Sequence, residues 1–139
     1  MILKRIFIIT VLILLCSYPL YANTNKEREA IKSADSWLSL VDAEKYTDSW
    51  DNTSQYFKSA ITENQWQKSL NSVRKPLGIV ISRKLIIKQY TTSLPGAPDG
   101  EYVVLQYETS FKNKASSIET VTPSLEKDGV WRVSGYFIK

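Results

Sequence analysis

The chain has 139 residues, 18 Lys plus Arg, 14 Asp plus Glu, one Cys and no His. That length fits one domain at roughly 100–200 residues each, and 43% hydrophobic with 23% charged residues is a globular composition. The missing imidazole excludes Ser-His-Asp and Cys-His catalysis, and the common zinc sites go with it.

Met1 to Ala22 has the layout of a secretory signal peptide. Lys4 and Arg5 supply the positive start, and Ile6 to Cys16 is an apolar run broken only by Thr10. Pro19 ends the run and Leu20-Tyr21-Ala22 places a small residue at the cleavage position. The run is too short for the ~20 apolar residues of a spanning helix. Lipid attachment at Cys16 is disfavoured because Leu15, not a small residue, precedes it. Cleavage after Ala22 would leave residues 23–139 as a single exported domain, periplasmic or secreted. It would remove two of the 18 basic residues and leave a net charge of +2. Such a near-balance gives no electrostatic reason to bind nucleic acid.

Helical periodicity begins near Asn25 and runs to Val41, with Ala30, Ala34, Trp37, Leu38 and Val41 on one face. Asp42 is the expected N-cap of a second helix carrying Tyr46 and Trp50, which frays at Asp51-Asn52-Thr53-Ser54. Thr62 and Gln65 have capping-box spacing, and Ile61 with Trp66 has the spacing of a hydrophobic staple. Trp66, Leu70 and Val73 form the apolar face of this third helix, stopped by Pro76 and Gly78. Arg74-Lys75 at its end suits an anion or, more simply, the negative helix terminus.

From Ile79 the period becomes two. Strands are predicted over about Ile79–Thr91, Glu101–Lys112, Ser116–Lys127 and Val130–Ile138, separated by a Pro/Gly-rich loop at 94–100 and two turns, Lys112–Ala115 and Lys127–Gly129. In the last hairpin a three-residue loop with Gly129 in a bulge pairs Trp131 with Leu125 and keeps both on one face with Val121. A two-residue loop would put Trp131 opposite Glu126. Helices followed by an antiparallel meander predict an α+β fold, with helices on one face of a curved four-stranded sheet.

Several stretches together resemble a bacterial family, domain of unknown function 4019: Trp37 to Asp42, Tyr46 to Trp50, Gln65-Trp66, Arg74 to Gly78, Ser82-Arg83, Pro95 to Tyr102, Glu119-Thr120 and Trp131 to Tyr136. The layout is also similar to the nuclear-transport-factor-2-like and cystatin-like cone. The resemblance implies a fold and no particular function.

The odd positions of the first three strands share the expected inner face: Ile79, Ile81, Arg83, Leu85 and Ile87; Val103 to Phe111; Glu119, Val121 and Leu125. Two charges interrupt it. Arg83 and Glu119 would meet across Thr109, either as a structural ion pair or as the polar floor of a ligand pocket. Trp50, Trp66, Tyr107 and Trp131 are aromatic candidates for core or pocket lining. Tyr102, Glu108 and Tyr136 fall on the opposite face by parity and are candidates for a partner surface or a homodimer contact. No cofactor or metal is expected, since Asp99-Gly100 lacks the further acidic ligands of a calcium loop. No nucleophile–base pair can be assembled from adjacent motifs. The favoured expectation is therefore a non-catalytic binding module for a protein partner or small ligand in the envelope. An enzyme using Glu119 as general base, and an envelope assembly protein, are the alternatives.

Overall fold

A computed structural model describes residues 18–139, with side chains from residue 23 onward. The expected signal-peptide features up to Cys16 lie outside the described residues. Helix α1 spans Tyr18–Asp42, α2 Tyr46–Asp51, α3 Gln55–Ala60 and α4 Glu63–Ser69. A π-type turn over Leu70–Arg74 and a 3-10 turn over Lys75–Leu77 lead into the strands β1 Val80–Thr91, β2 Tyr102–Phe111, β3 Lys114–Leu125 and β4 Trp131–Ile138. The strands form one open antiparallel sheet in the order β1-β2-β3-β4. The fold is α+β and compatible with a cone. No helix among the described residues is long and apolar enough to cross a membrane.

The predicted stripe of α1 is the stripe that packs. Ala30, Ala34, Trp37, Leu38 and Val41 are all buried, and α1 touches all four strands. The helix starts seven residues earlier than expected and ends in a left-handed residue, Glu44, at φ 59°. The Glu44 N–H donates to Val41 O and the Lys45 N–H to Leu40 O, the paired bonds of a Schellman ending. Asp42 is therefore the last residue of α1 and caps nothing. The residue before α2 is Lys45, with no side-chain cap.

Helix α3 is an element the sequence reading lacked. Ser54, expected as part of a fraying loop, is its N-cap and accepts from the Phe57 N–H at 3.1 Å. Helix α4 has the expected capping box, with Thr62 and Gln65 bonded reciprocally. Beyond Leu70 the wider π-type turn changes the expected face. Val73 is exposed and Arg74 is buried.

Bulges correct the strand-parity expectations. Pairing of β1 with β2 shifts between Val80 and Ser82 and again between Leu85 and Ile87. Arg83 and Leu85 face the helices, but Ile79, Ile81 and Ile87 are exposed. The β2–β3 turn is two residues, Lys112-Asn113, and a bulge follows it. Leu125 pairs with Trp131 as expected, and Gly129 has φ 80°. A further shift between Thr122 and Pro123 leaves Ser134 as the extra residue on β4, which reverses the parity after it. Tyr136 thus turns toward the helices and Phe137 becomes exposed, contrary to the placement of Tyr136 on the outer face. Tyr102 is also buried, and its hydroxyl donates to Pro98 O. Of the three residues expected on the outer face, only Glu108 is exposed.

Gly78 joins the helical layer to the sheet at φ 79°, ψ −163°, a conformation almost restricted to glycine. A Cβ there would sit 3.1 Å from Asn113 Nδ2 and 3.3 Å from Lys112 Cβ. Gly78→Ala should therefore destabilise the fold by about 1–3 kcal/mol, measured by urea unfolding.

Candidate functional site

The most unusual chemistry lies where the C-terminus of α1, the π-type turn and the sheet meet. Glu119 on β3 has no exposed surface. Its Oε1 accepts from Arg83 Nε at 2.8 Å and from Thr109 Oγ1 at 2.6 Å, and its Oε2 accepts from the Tyr136 hydroxyl. Arg83 then turns its two terminal nitrogens onto Asp42, at 2.7 and 3.0 Å, in a forked pair. Arg74, 4% exposed, donates to the same Asp42 carboxylate at 3.1 Å and to Gly78 O at 2.7 Å. Its guanidinium also lies 4.5 Å from the centroid of Phe111.

Two carboxylates and two guanidiniums make this cluster electrically neutral. A carboxylate at a helix C-terminus opposes the helix dipole, and Arg74 and Arg83 offset that cost at Asp42. Burial disfavours the charged form of Arg83, but its hydrogen bonds to Asp42 and Glu119 outweigh this and hold it above its ordinary pKa. The Tyr136 phenol is pushed up first by burial and then by the Glu119 charge. Tyr107 is raised by burial and by Asp35, whose carboxylate accepts its hydroxyl at 3.0 Å. Both phenols are donors held in the neutral form.

The Arg83–Glu119 pair anticipated from sequence forms, by a different route. Arg83 pairs with Thr109 as expected, whereas Glu119 lies opposite Tyr107 rather than Thr109 and reaches Arg83 diagonally. The sequence reading missed Asp42 and Arg74 as members. Each continues an apolar helix stripe by one turn: Ala30, Ala34, Leu38, Asp42 on α1, and Trp66, Leu70, Arg74 after α4. A charge on the buried register was the available signal.

The aromatic candidates divide. Trp66 packs with Trp37, Phe57 and Tyr136 at centroid distances of 5.9, 5.1 and 6.3 Å. The indole N–H groups of Trp37 and Trp66 donate to Ser49 O and Ser49 Oγ. Tyr107 and Trp131 are buried in the same core. Trp50 is half-buried, donates to Ile61 O at 3.0 Å and lies beneath Lys58. A separate open cleft of about 750 Å³ lies between the start of α3, the loop before β2 and the β3–β4 turn; Tyr56, Tyr102 and Leu125 contribute to its wall. Among the described residues, no group of three or more His, Cys, Asp or Glu could hold a metal ion.

Chemically, Glu119 is a carboxylate with both oxygens engaged and no surface from which to meet a substrate. Removing its charge leaves Arg83 only half neutralised in a buried setting. Glu119→Gln should cost about 3 kcal/mol of stability in urea unfolding. Glu44→Gln, at the exposed Lys75–Glu44 pair, should change it by less than about 0.5 kcal/mol.

The two phenols also predict a pH dependence. Their folded-state pKa values exceed the ordinary 10.0. Below pH 10 both states are neutral and the contribution is complete. Above it the unfolded chain loses protons that the folded chain retains, so stability falls as pH rises. Tyr136→Phe should flatten the decline in urea midpoint between about pH 9 and pH 11.

A search of curated proteins finds no match to the chain. The family described as "Protein of unknown function (DUF4019)" matches residues 33–136, which takes in every residue of the charge cluster. The chain belongs to that family.

Proposed function

We propose that this protein is a non-catalytic exported binding module, and that it holds a protein partner on the sheet face opposite the helices. The carrying observation is the division of the sheet. Its inner face is consumed by a packed aromatic core and a neutral charge cluster. The loop at 94–100 and the start of α3 cover its outer face around Tyr102 and Ser124, and the rest of that face, across the middle of the strands, is lined by exposed and half-buried side chains. Ile87, Gln106, Thr120 and Phe137 lie in one paired row across the four strands on that outer face, and Ile87 and Phe137 are exposed. A row with apolar ends and a polar centre, running across four strands, suits a protein surface better than a small molecule.

Export rests on the signal-peptide features of residues 1–22, and the envelope is the compartment they imply. An enzyme with Glu119 as general base is the weaker reading. A general base needs an oxygen within reach of the substrate proton, and both oxygens of Glu119 are occupied inside the core. The open cleft beside Tyr56 and Tyr102 supports a second reading, an extended peptide or small ligand bound there.

A photo-crosslinking residue at Phe137 should capture one discrete partner in the envelope of the producing cell. The same residue at Arg28, exposed on α1, should not. Equal capture at both positions would sink this reading. Light scattering of the purified chain would show whether that partner is a second copy.

A further inference from the structure

A second exposed surface lies where the chain enters β1, further along the strand from Ile87. Val73, Ile79 and Ile81 are 56%, 67% and 62% exposed. Single exposed aliphatics are ordinary, but these three all fall within residues 73–81, where the chain passes from the helical layer into β1, and each is exposed for a structural reason. The π-type turn sends Val73 outward while Arg74 goes in. Ile79 immediately precedes β1, and Ile81 sits in its first register shift. The Lys112-Asn113 turn is fastened beside them. Lys112 N–H donates to Ile79 O, Asn113 N–H to Leu77 O, and Asn113 Nδ2 to Pro76 O.

This turn sets two exposed lysines, Lys112 and Lys114, beside the aliphatic cluster. Neither enters an ion pair among the described residues, so both ammonium charges are open to an outside anion. Lys75 adds a third cation nearby, shared with Glu44 at 3.8 Å. An aliphatic centre with unpaired lysines at its margin matches an anionic bilayer surface. The isoleucines can enter the acyl boundary while the ammonium groups stay at the headgroups. The geometry points to this end of the protein as a docking surface for anionic phospholipid. The patch lies at the start of β1, away from the row of Ile87 and Phe137, and the proposal holds whether or not that row binds a partner.

The test is co-sedimentation of the full chain with vesicles of phosphatidylcholine, with and without phosphatidylglycerol. Any apolar N-terminal segment is common to all variants, so differences between variants report on the patch. Partitioning should rise with phosphatidylglycerol and fall with salt. Lys112→Gln with Lys114→Gln should weaken it roughly 25-fold, at about fivefold per lysine. Ile79→Ser and Ile81→Ser should each weaken it roughly tenfold. All four positions are exposed, so the thermal midpoint should stay near that of the parent chain. Partitioning that ignores phosphatidylglycerol, or that none of these substitutions reduces, would overturn the proposal. Retention by a protein through this patch with no lipid dependence would overturn it too.

Discussion

Glu119 brings a carboxylate into the middle of a sheet face otherwise built from Val103, Leu105, Tyr107 and Val121, all buried. A charge in that position is tolerated only if other groups converge on it. Much of the architecture can be understood as that convergence. Thr109 comes from the neighbouring strand, Arg83 from the edge strand and Tyr136 from β4 across a bulge. Arg83 then needs Asp42, which joins α1 to the sheet, and Asp42 draws in Arg74 from the turn after α4. One carboxylate therefore links residues that are distant in sequence. Hydrophobic burial supplies the driving force, and the polar chain fixes how the layers are matched.

The irregular elements follow from the same requirement. The π-type turn brings Arg74 under the helical layer and leaves Val73 in solvent. The left-handed Glu44, two residues beyond Asp42, turns the chain away at the end of α1. The bulge at Ser134 reverses the side-chain parity of β4, and a chain of three serine hydroxyls ties it to α3 on one side and β3 on the other. Ser134 donates to Ser54, the cap of α3, at 2.6 Å, and shares a hydrogen bond with Ser124. The departures from regular geometry thus have hydrogen-bonded partners waiting for them.

Long periodic elements were legible in the sequence. The α1 stripe, the capping box at Thr62, the four strands and the Leu125–Trp131 register all follow from patterns confined to one segment or one hairpin. What was not legible depends on a single extra residue or on a distant partner. Parity counting placed Ile79, Ile81 and Ile87 inside and Tyr136 outside, because it assumed unbroken strands. Asp42 looked like a cap because local rules favour Asp before a helix, and its two arginine partners lie 32 and 41 residues away. Helix α3 escaped notice because six residues with one buried side chain carry almost no periodicity. The Arg83–Glu119 pair was within reach, since two opposite charges interrupted the inner face of the two strands that flank β2.

Strand β1 is an edge of the open sheet, twelve residues long, with several isoleucines in solvent. Such an edge is ordinarily a template on which a second chain can extend the sheet without limit. The two register shifts in β1 deny a foreign strand the even spacing of donors and acceptors that continuous pairing requires. Lys84 and Lys88 add charge along the same stretch. The irregularities that frustrate parity counting are therefore also the kind of feature that opposes edge-to-edge polymerisation of a strand carrying exposed aliphatic side chains.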